Sequence, residues 1–212
     1  MRVWDVPVRL VHWLIVLSVA GAWWTAEAGR MDWHSYCGFT LLGLLAFRIY
    51  WGFFGSSTAR FGQFVRGPRS IVSYLTGRWP HVPGHNPLGA LSVIALLALM
   101  LGQVVLGLFT VDVDGIESGP LSTFVSFDAG RLAARWHDRL FDVLLWLVGL
   151  HVVAVFFYLI VRKENLIGPM LSGKRAYDND QPGMKQASAV RFLIGVALAC
   201  ALTWTIVRAF QF

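Results

Sequence analysis

The sequence predicts an all-α integral membrane protein: a four-helix bundle in the membrane followed by a fifth, C-terminal transmembrane helix. Three observations carry this. The 212 residues are 56% hydrophobic and only 14% charged, the balance of a membrane protein and not of a soluble domain. The apolar residues fall into five runs, each long enough at about 1.5 Å per residue to cross a hydrocarbon layer about 30 Å thick. The basic residues collect in particular loops between those runs, so the net charge of +6 reads as membrane topology and not as a nucleic-acid surface.

The first run covers residues 8–26. Arg2 and Arg9 ahead of it, and Ala26-Glu27-Ala28 after it, have the outline of a secretory signal peptide. Asp5, Pro7, His12 and the bulky pair Trp23 and Trp24 argue against cleavage, and the tryptophans suit an interfacial belt. The segment is therefore expected to remain as the first span. The second run, residues 33–54, opens beside His34 and carries Arg48 in its last two turns. An arginine at that depth calls for a partner, for which the acid group of a cofactor is suited.

Residues 56–87 hold Arg60, Arg66, Arg69 and Arg78 and no acid. The stretch ARFGQFVRGPRSIVSYLTGR is too short and too charged to span, and is expected to form helices lying on the membrane surface. His81 and His85 sit there among Pro80, Pro83 and Pro87. Prolines break the helix that would align two histidines four apart, so both are expected as loop residues and not as metal ligands. The third span, residues 88–111, has no charge and three glycines, Gly89, Gly102 and Gly107, which permit close approach of a neighbouring helix or of a porphyrin.

A loop with Asp112, Asp114, Glu117 and Asp128 and no base leads to the fourth span, residues 131–161. The next loop carries Arg162, Lys163, Lys174, Arg175, Lys185 and Arg191, and the last run, residues 192–207, gains length from Ala209 and Phe210. The N-terminus, the second loop and the fourth loop together hold twelve of the eighteen Lys and Arg residues. Basic loops face the cytoplasm, so the expected topology has a cytoplasmic N-terminus and a periplasmic C-terminus. Cys37 and Cys200 fall far apart in apolar runs, and no C-x-x-C-H occurs, so the sequence does not support covalent c-type haem attachment.

The fourth span organises the rest. It carries His137 and His151, fourteen residues apart, which is about 21 Å of helix axis and only roughly 40° of rotation. Two imidazoles on one face, a bilayer depth apart, are expensive in hydrocarbon unless they serve a function. The alternating directions of the spans place His12 at the depth of His151, and His34 at the depth of His137. Each pair suits one haem iron held between two imidazoles, so His12, His151, His34 and His137 are the expected metal ligands. Arg131 and Arg135 lie beside one site, with Arg9 and Arg48 beside the other, where they could neutralise haem carboxylates.

The order of ligands resembles the bacterial cytochrome b561 family, which includes the cytochrome b subunits of nickel–iron hydrogenases and formate dehydrogenases. The resemblance rests on VWDVPVRLVHW, DWHSYCG, FRIYWGFFG, RWHDRLFD and LVGLH, and covers roughly residues 3–175. It implies two haem b groups on the same four histidines and a four-helix core, to which the fifth span is an addition. Residues 1–175 are accordingly expected as the dihaem domain, and 176–212 as a cytoplasmic linker with the fifth helix.

The resemblance further implies electron transfer in the bacterial inner membrane between the quinone pool and a periplasmic redox partner, a c-type cytochrome or a hydrogenase-like or dehydrogenase subunit. ARFGQFVRGPRSIVSYL and GHNPLGALSV look like members associated with periplasmic c-type cytochromes. The family also resembles superoxide oxidases, so a self-contained superoxide:ubiquinone oxidoreductase is the alternative reading. The acidic loop beside Arg131, Arg135 and Arg139 opposes attraction of a small anion there. A third reading, a membrane scaffold without redox chemistry, predicts a purified protein with no visible absorption.

Overall fold

Among the described residues, eight α-helices follow the apolar periodicity and the local stop signals. The computed structural model describes residues 1–79, 84–114, 116–176 and 183–210. His81 lies outside these residues. The structure is 74% helical, without strands among the described residues. Five helices are long and apolar enough to cross a membrane.

Helix α1 (Val6–Glu27) begins at Asp5, whose Oδ1 accepts the Val8 N–H at 2.8 Å. This is an N-cap, in which a carboxylate takes up one of the orphan donors of the first turn. The chain leaves α1 through Gly29, at a φ of 65° that a residue with a Cβ adopts only at a cost. It re-enters helix as α2 (Met31–Phe54). The arginine-rich stretch folds as two short helices, α3 (Phe61–Phe64) and α4 (Pro68–Leu75), the second with Pro68 in its first turn, where a missing N–H costs nothing. Val72 and Leu75 of α4 are exposed, as expected of a helix lying at the membrane surface.

Helix α5 (Pro87–Leu108) is capped by Asn86, whose Oδ1 accepts the Gly89 N–H at 2.7 Å. Helix α6 (Phe127–Ile160) has 34 residues, about 51 Å of axis. It starts four residues earlier than its apolar run, because Asp128 and the Ser126 carbonyl, which accepts the Gly130 N–H at 2.9 Å, support a polar first turn. Helices α7 (Ile167–Ser172) and α8 (Ala189–Phe210) complete the chain.

The chain divides into two compact units. One comprises Met1–His12, Arg48–Ala95 and Gly149–Gly195; the other comprises Trp13–Phe47, Leu96–Val148 and Val196–Phe212. In the first unit the N-terminal residues are fastened by backbone hydrogen bonds. Val3 N–H donates to Gly173 C=O at 2.8 Å, and Arg175 N–H donates to Met1 C=O at 3.0 Å. Asp5 Oδ2 accepts the Trp51 indole N–H at 2.8 Å and Thr58 Oγ1 donates to Val3 C=O at 2.6 Å. Buried polar groups with partners stabilise a unique arrangement, whereas unpaired ones would oppose it. Glu164 and Arg175 form an ion pair in the same unit.

The second unit is built on a dry core. Leu41, Leu42 and Leu45 of α2, Met100 and Val104 of α5 and Leu144 of α6 are buried together, with Ile15, Val19 and Ile206 packed against them. Outward residues of the long helices remain apolar, with Trp146 82% and Leu17 66% exposed. That inversion is tolerable only where lipid replaces water.

Candidate functional site

The second unit contains His34 and His137, and the first contains His12, His85 and His151 among its described residues. In the second unit His34 of α2 and His137 of α6 have ring centroids 6.0 Å apart and ring planes at 81°. Both rings are anchored through Nδ1. The His34 ring donates from Nδ1 to the Ala22 carbonyl at 2.9 Å, and His137 donates from Nδ1 to the Gln103 carbonyl at 2.9 Å. A carbonyl can only accept, so these bonds put the proton on Nδ1 and leave each Nε2 lone pair free for a metal.

Gly107, one turn beyond Gln103, completes the seat for His137. A Cβ at position 107 would stand 2.9 Å from His137 Cε1 and 3.2 Å from its Nδ1. The ring therefore lies flush against the α5 backbone. Of the three glycines singled out in the sequence, this one meets an imidazole, while Gly102 faces Leu140 and Gly89 faces the Asn86 cap.

In the first unit His12 of α1 and His151 of α6 are close enough to interact electrostatically. His151 Nδ1 lies 3.4 Å from Ser92 Oγ. Imidazole nitrogens bind transition metals at about 2 Å, so two rings on opposite sides of one metal have centres about 6 Å apart. The separation of His34 and His137 fits that requirement. Among the described residues no group of three or more His, Cys, Asp or Glu side chains gathers to hold a bare ion. Two imidazoles suit a metal whose remaining ligands come from a macrocycle.

The sequence pattern of the family described as Prokaryotic cytochrome b561 matches residues 3–173. The chain belongs to that family. As a prokaryotic cytochrome b561 with five apolar helices, it is a multi-pass membrane protein and a membrane b-type cytochrome of electron transfer, a class that implies haem b. It is 25% identical over 221 residues to a probable Ni/Fe-hydrogenase B-type cytochrome subunit of Azotobacter chroococcum mcd 1, covering 85% of this chain and 90% of that protein. It is 26% identical over 234 residues to a probable Ni/Fe-hydrogenase B-type cytochrome subunit of Azotobacter vinelandii, with the same coverage. No solved structure matches.

The four arginines read from the sequence of this cytochrome have different surroundings. Arg48 is buried, at 7% exposure, within range of the Asp5 charge and with its guanidinium 5.3 Å from the Phe61 ring centre. Arg9 donates from Nη1 to the Leu171 carbonyl, and its buried Nε has no hydrogen-bond partner among the described residues. Arg131 donates from Nη1 to the Val111 carbonyl at 2.9 Å, tying the start of α6 to the end of α5. Arg135 is exposed.

Sequence reasoning missed two features of the first unit. His85 is a loop residue, as expected, but not a solvated one. Its ring is packed between Trp4, at 4.6 Å, and Phe64, at 4.5 Å. Burial, and then the charges of Arg48 and His151, push its pKa down to about 3, so the ring is neutral. The second feature is a polar triad. The phenols of Tyr74 and Tyr158 share a hydrogen bond, and the Asn86 amide donates to each at 3.1 Å. Burial and the bond to Tyr158 hold the Tyr74 phenol above its usual pKa. The only sequence signal for either was that His85 and Asn86 adjoin the Pro87 that opens α5.

Proposed function

We propose that this cytochrome binds two haem b groups, one between His34 and His137 and one between His12 and His151, and transfers electrons between the quinone pool and a periplasmic redox protein. The observation that carries the reading is the facing pair His34 and His137, each ring tethered at Nδ1 to a main-chain carbonyl. Haem supplies one-electron exchange when bound. The paired imidazoles would hold the iron, and ligation by two histidines would leave no position for dioxygen or substrate and so favour electron transfer. The backbone acceptors behind the rings fix their tautomer and raise their basicity. The basic loops support an inner-membrane orientation with a cytoplasmic N-terminus and a periplasmic C-terminus. Pyridine haemochrome analysis of the purified protein is expected to give non-covalent haem at about two per chain; a single haem would reject the paired scheme.

The relatives' description as hydrogenase subunits supports a protein partner over a self-contained superoxide oxidase. The surface suited to that partner is the loop between α5 and α6. Asp114, Glu117 and Asp128 are exposed there, alongside Ile116 and Phe124 at 84% and 75% exposure. The loop is held in shape by Gly119 N–H donating to Thr110 C=O at 2.8 Å and Asp112 N–H donating to Ser118 Oγ at 3.0 Å. Carboxylates around apolar side chains suit transient docking of a partner with a basic patch. Changing Asp112, Asp114 and Glu117 together to Asn, Asn and Gln is expected to slow electron exchange with the co-purifying partner. It should also flatten the salt dependence, because exposed charges act over about 8 Å at physiological ionic strength. Both haem spectra should stay unchanged. A triple variant with unaltered rates across a salt series would exclude this loop.

A further inference from the structure

Around the His12–His151 pair the first unit gathers buried nitrogens that have no hydrogen-bond partner among the described residues. His85 Nδ1 is buried with no hydrogen-bond partner among the described residues, and so is Arg9 Nε. The two belong to one neighbourhood. The Trp4 ring packs on His85, while a Cβ on Gly173 would lie 2.8 Å from the Trp4 carbonyl oxygen and 3.1 Å from Arg9 Nε. The Arg48 guanidinium acts on His85 and is itself buried. The nearby acid, Asp5, already accepts from the Val8 N–H and the Trp51 indole. Buried donors are almost always satisfied, and a buried cation calls for an anion.

We infer that His85 is a positioning residue of the cofactor site: clamped between Trp4 and Phe64, it donates its ring N–H to a carboxylate of the haem held by His12 and His151, an anion that Arg9 and Arg48 also face. The inference rests on the dihaem reading and goes beyond it, because it assigns a role to a histidine that binds no metal. The clamp fixes the ring plane, so the N–H points in one direction and does not follow solvent. A neutral imidazole carries a single N–H; under the proposal it sits on Nδ1, the buried nitrogen with no partner among the described residues. A hydrogen bond to the carboxylate drains negative charge from the edge of the cofactor and so favours its reduced form.

The test is a redox titration of the purified holoprotein. His85→Phe keeps a ring between Trp4 and Phe64 and removes the N–H. It is expected to lower the midpoint potential of one haem, the one that His151→Ala removes, by up to about tenfold in the reduction equilibrium constant, or 59 mV for one electron. The other haem should be unmoved. His85→Gln, which retains an N–H donor, should restore most of the shift. Equal shifts in both haems, or none, would overturn the inference. So would a wild-type potential that follows added inorganic phosphate or vesicles of anionic lipid, since the anion would then come from outside the cofactor.

If His85→Phe fails to assemble, wild-type protein reconstituted with haem dimethyl ester, which has no free carboxylate, provides the second measurement. With the carboxylate charge removed, its potential at this site should rise, and any difference between wild type and His85→Gln should vanish; a His85→Gln effect that persists in the ester-loaded site rejects the bond. Wild-type protein without haem would refute the dihaem reading itself, whereas two haems with no response to His85 would refute only this inference.

Discussion

His137→Ala is expected to remove one haem of the two and to spare the other. The substitution deletes an imidazole whose ring centre lies 6.0 Å from that of His34, leaving any iron between them with a single protein ligand. His34→Ala should give the same spectrum, since both changes strike one site of the second unit. His12→Ala and His151→Ala act in the first unit and should remove the complementary signal. Each single variant should therefore lose about half of the reduced α-band and keep one bis-His low-spin haem. Redox titration of the four variants sorts them into two classes, His34 with His137 and His12 with His151. If His12→Ala and His34→Ala perturb the same transition, the pairing is wrong and so is the helix order on which it was built.

Gly107→Val should abolish the haem of the second unit while leaving every histidine in place. The Cβ alone would stand 2.9 Å from Cε1 of His137, closer than two carbons pack, and valine adds two methyl groups at the same spot. The ring cannot simply turn away, because its Nδ1 is bonded to the Gln103 carbonyl on the preceding turn of α5 at 2.9 Å. Overpacking costs about 1–3 kcal/mol and loss of the hydrogen bond about 1 kcal/mol more. Together these correspond to roughly 30- to 1,000-fold weaker haem retention, at 1.4 kcal/mol per factor of ten. Gly102→Ala is the matched control. Its Cβ would meet a methyl of Leu140 at 3.2 Å, a side-chain tip that can move aside, so near-normal haem content is expected. Haem-to-protein ratios of the two variants decide the matter. Equal retention in both would show that position 107 is not a seat for the ring.

The helices were legible in the sequence, and the four histidines stood out in it as candidates, because membrane solvation leaves few alternatives. A backbone in hydrocarbon must satisfy itself as helix, and an imidazole at mid-depth is rare enough to be informative. The acceptors behind the rings were not legible. His34 and His137 rest on the carbonyls of Ala22 and Gln103, and a main-chain carbonyl has no residue identity to read. Gly107 was visible as a small residue, but not what it faced, since the partner lies thirty residues further along the chain. His85 looked like loop because Pro83 and Pro87 flank it. Its burial depends on Trp4 and Phe64, brought to it by tertiary packing that no local pattern encodes. The start of α6 was displaced for the opposite reason: its first turn is polar and lies ahead of the apolar run that marks the span.

A ring tethered by its Nδ1 has surrendered its torsional freedom before any cofactor arrives. Immobilising a side chain on binding costs about 0.5–1.5 kcal/mol, and in the pair His34 and His137 both rings have met that cost during folding. His151 rests against Ser92 Oγ at 3.4 Å, beyond the usual range of a firm hydrogen bond. As a haem ligand in the proposed scheme, its ring would be ordered largely by the incoming iron. Under that proposal the polypeptide would set a sequence of maturation. On the proposed dihaem reading, the site in the second unit is expected to fill ahead of the one in the first when haem is scarce. Partly loaded preparations should accordingly be enriched in the species whose spectrum survives His151→Ala.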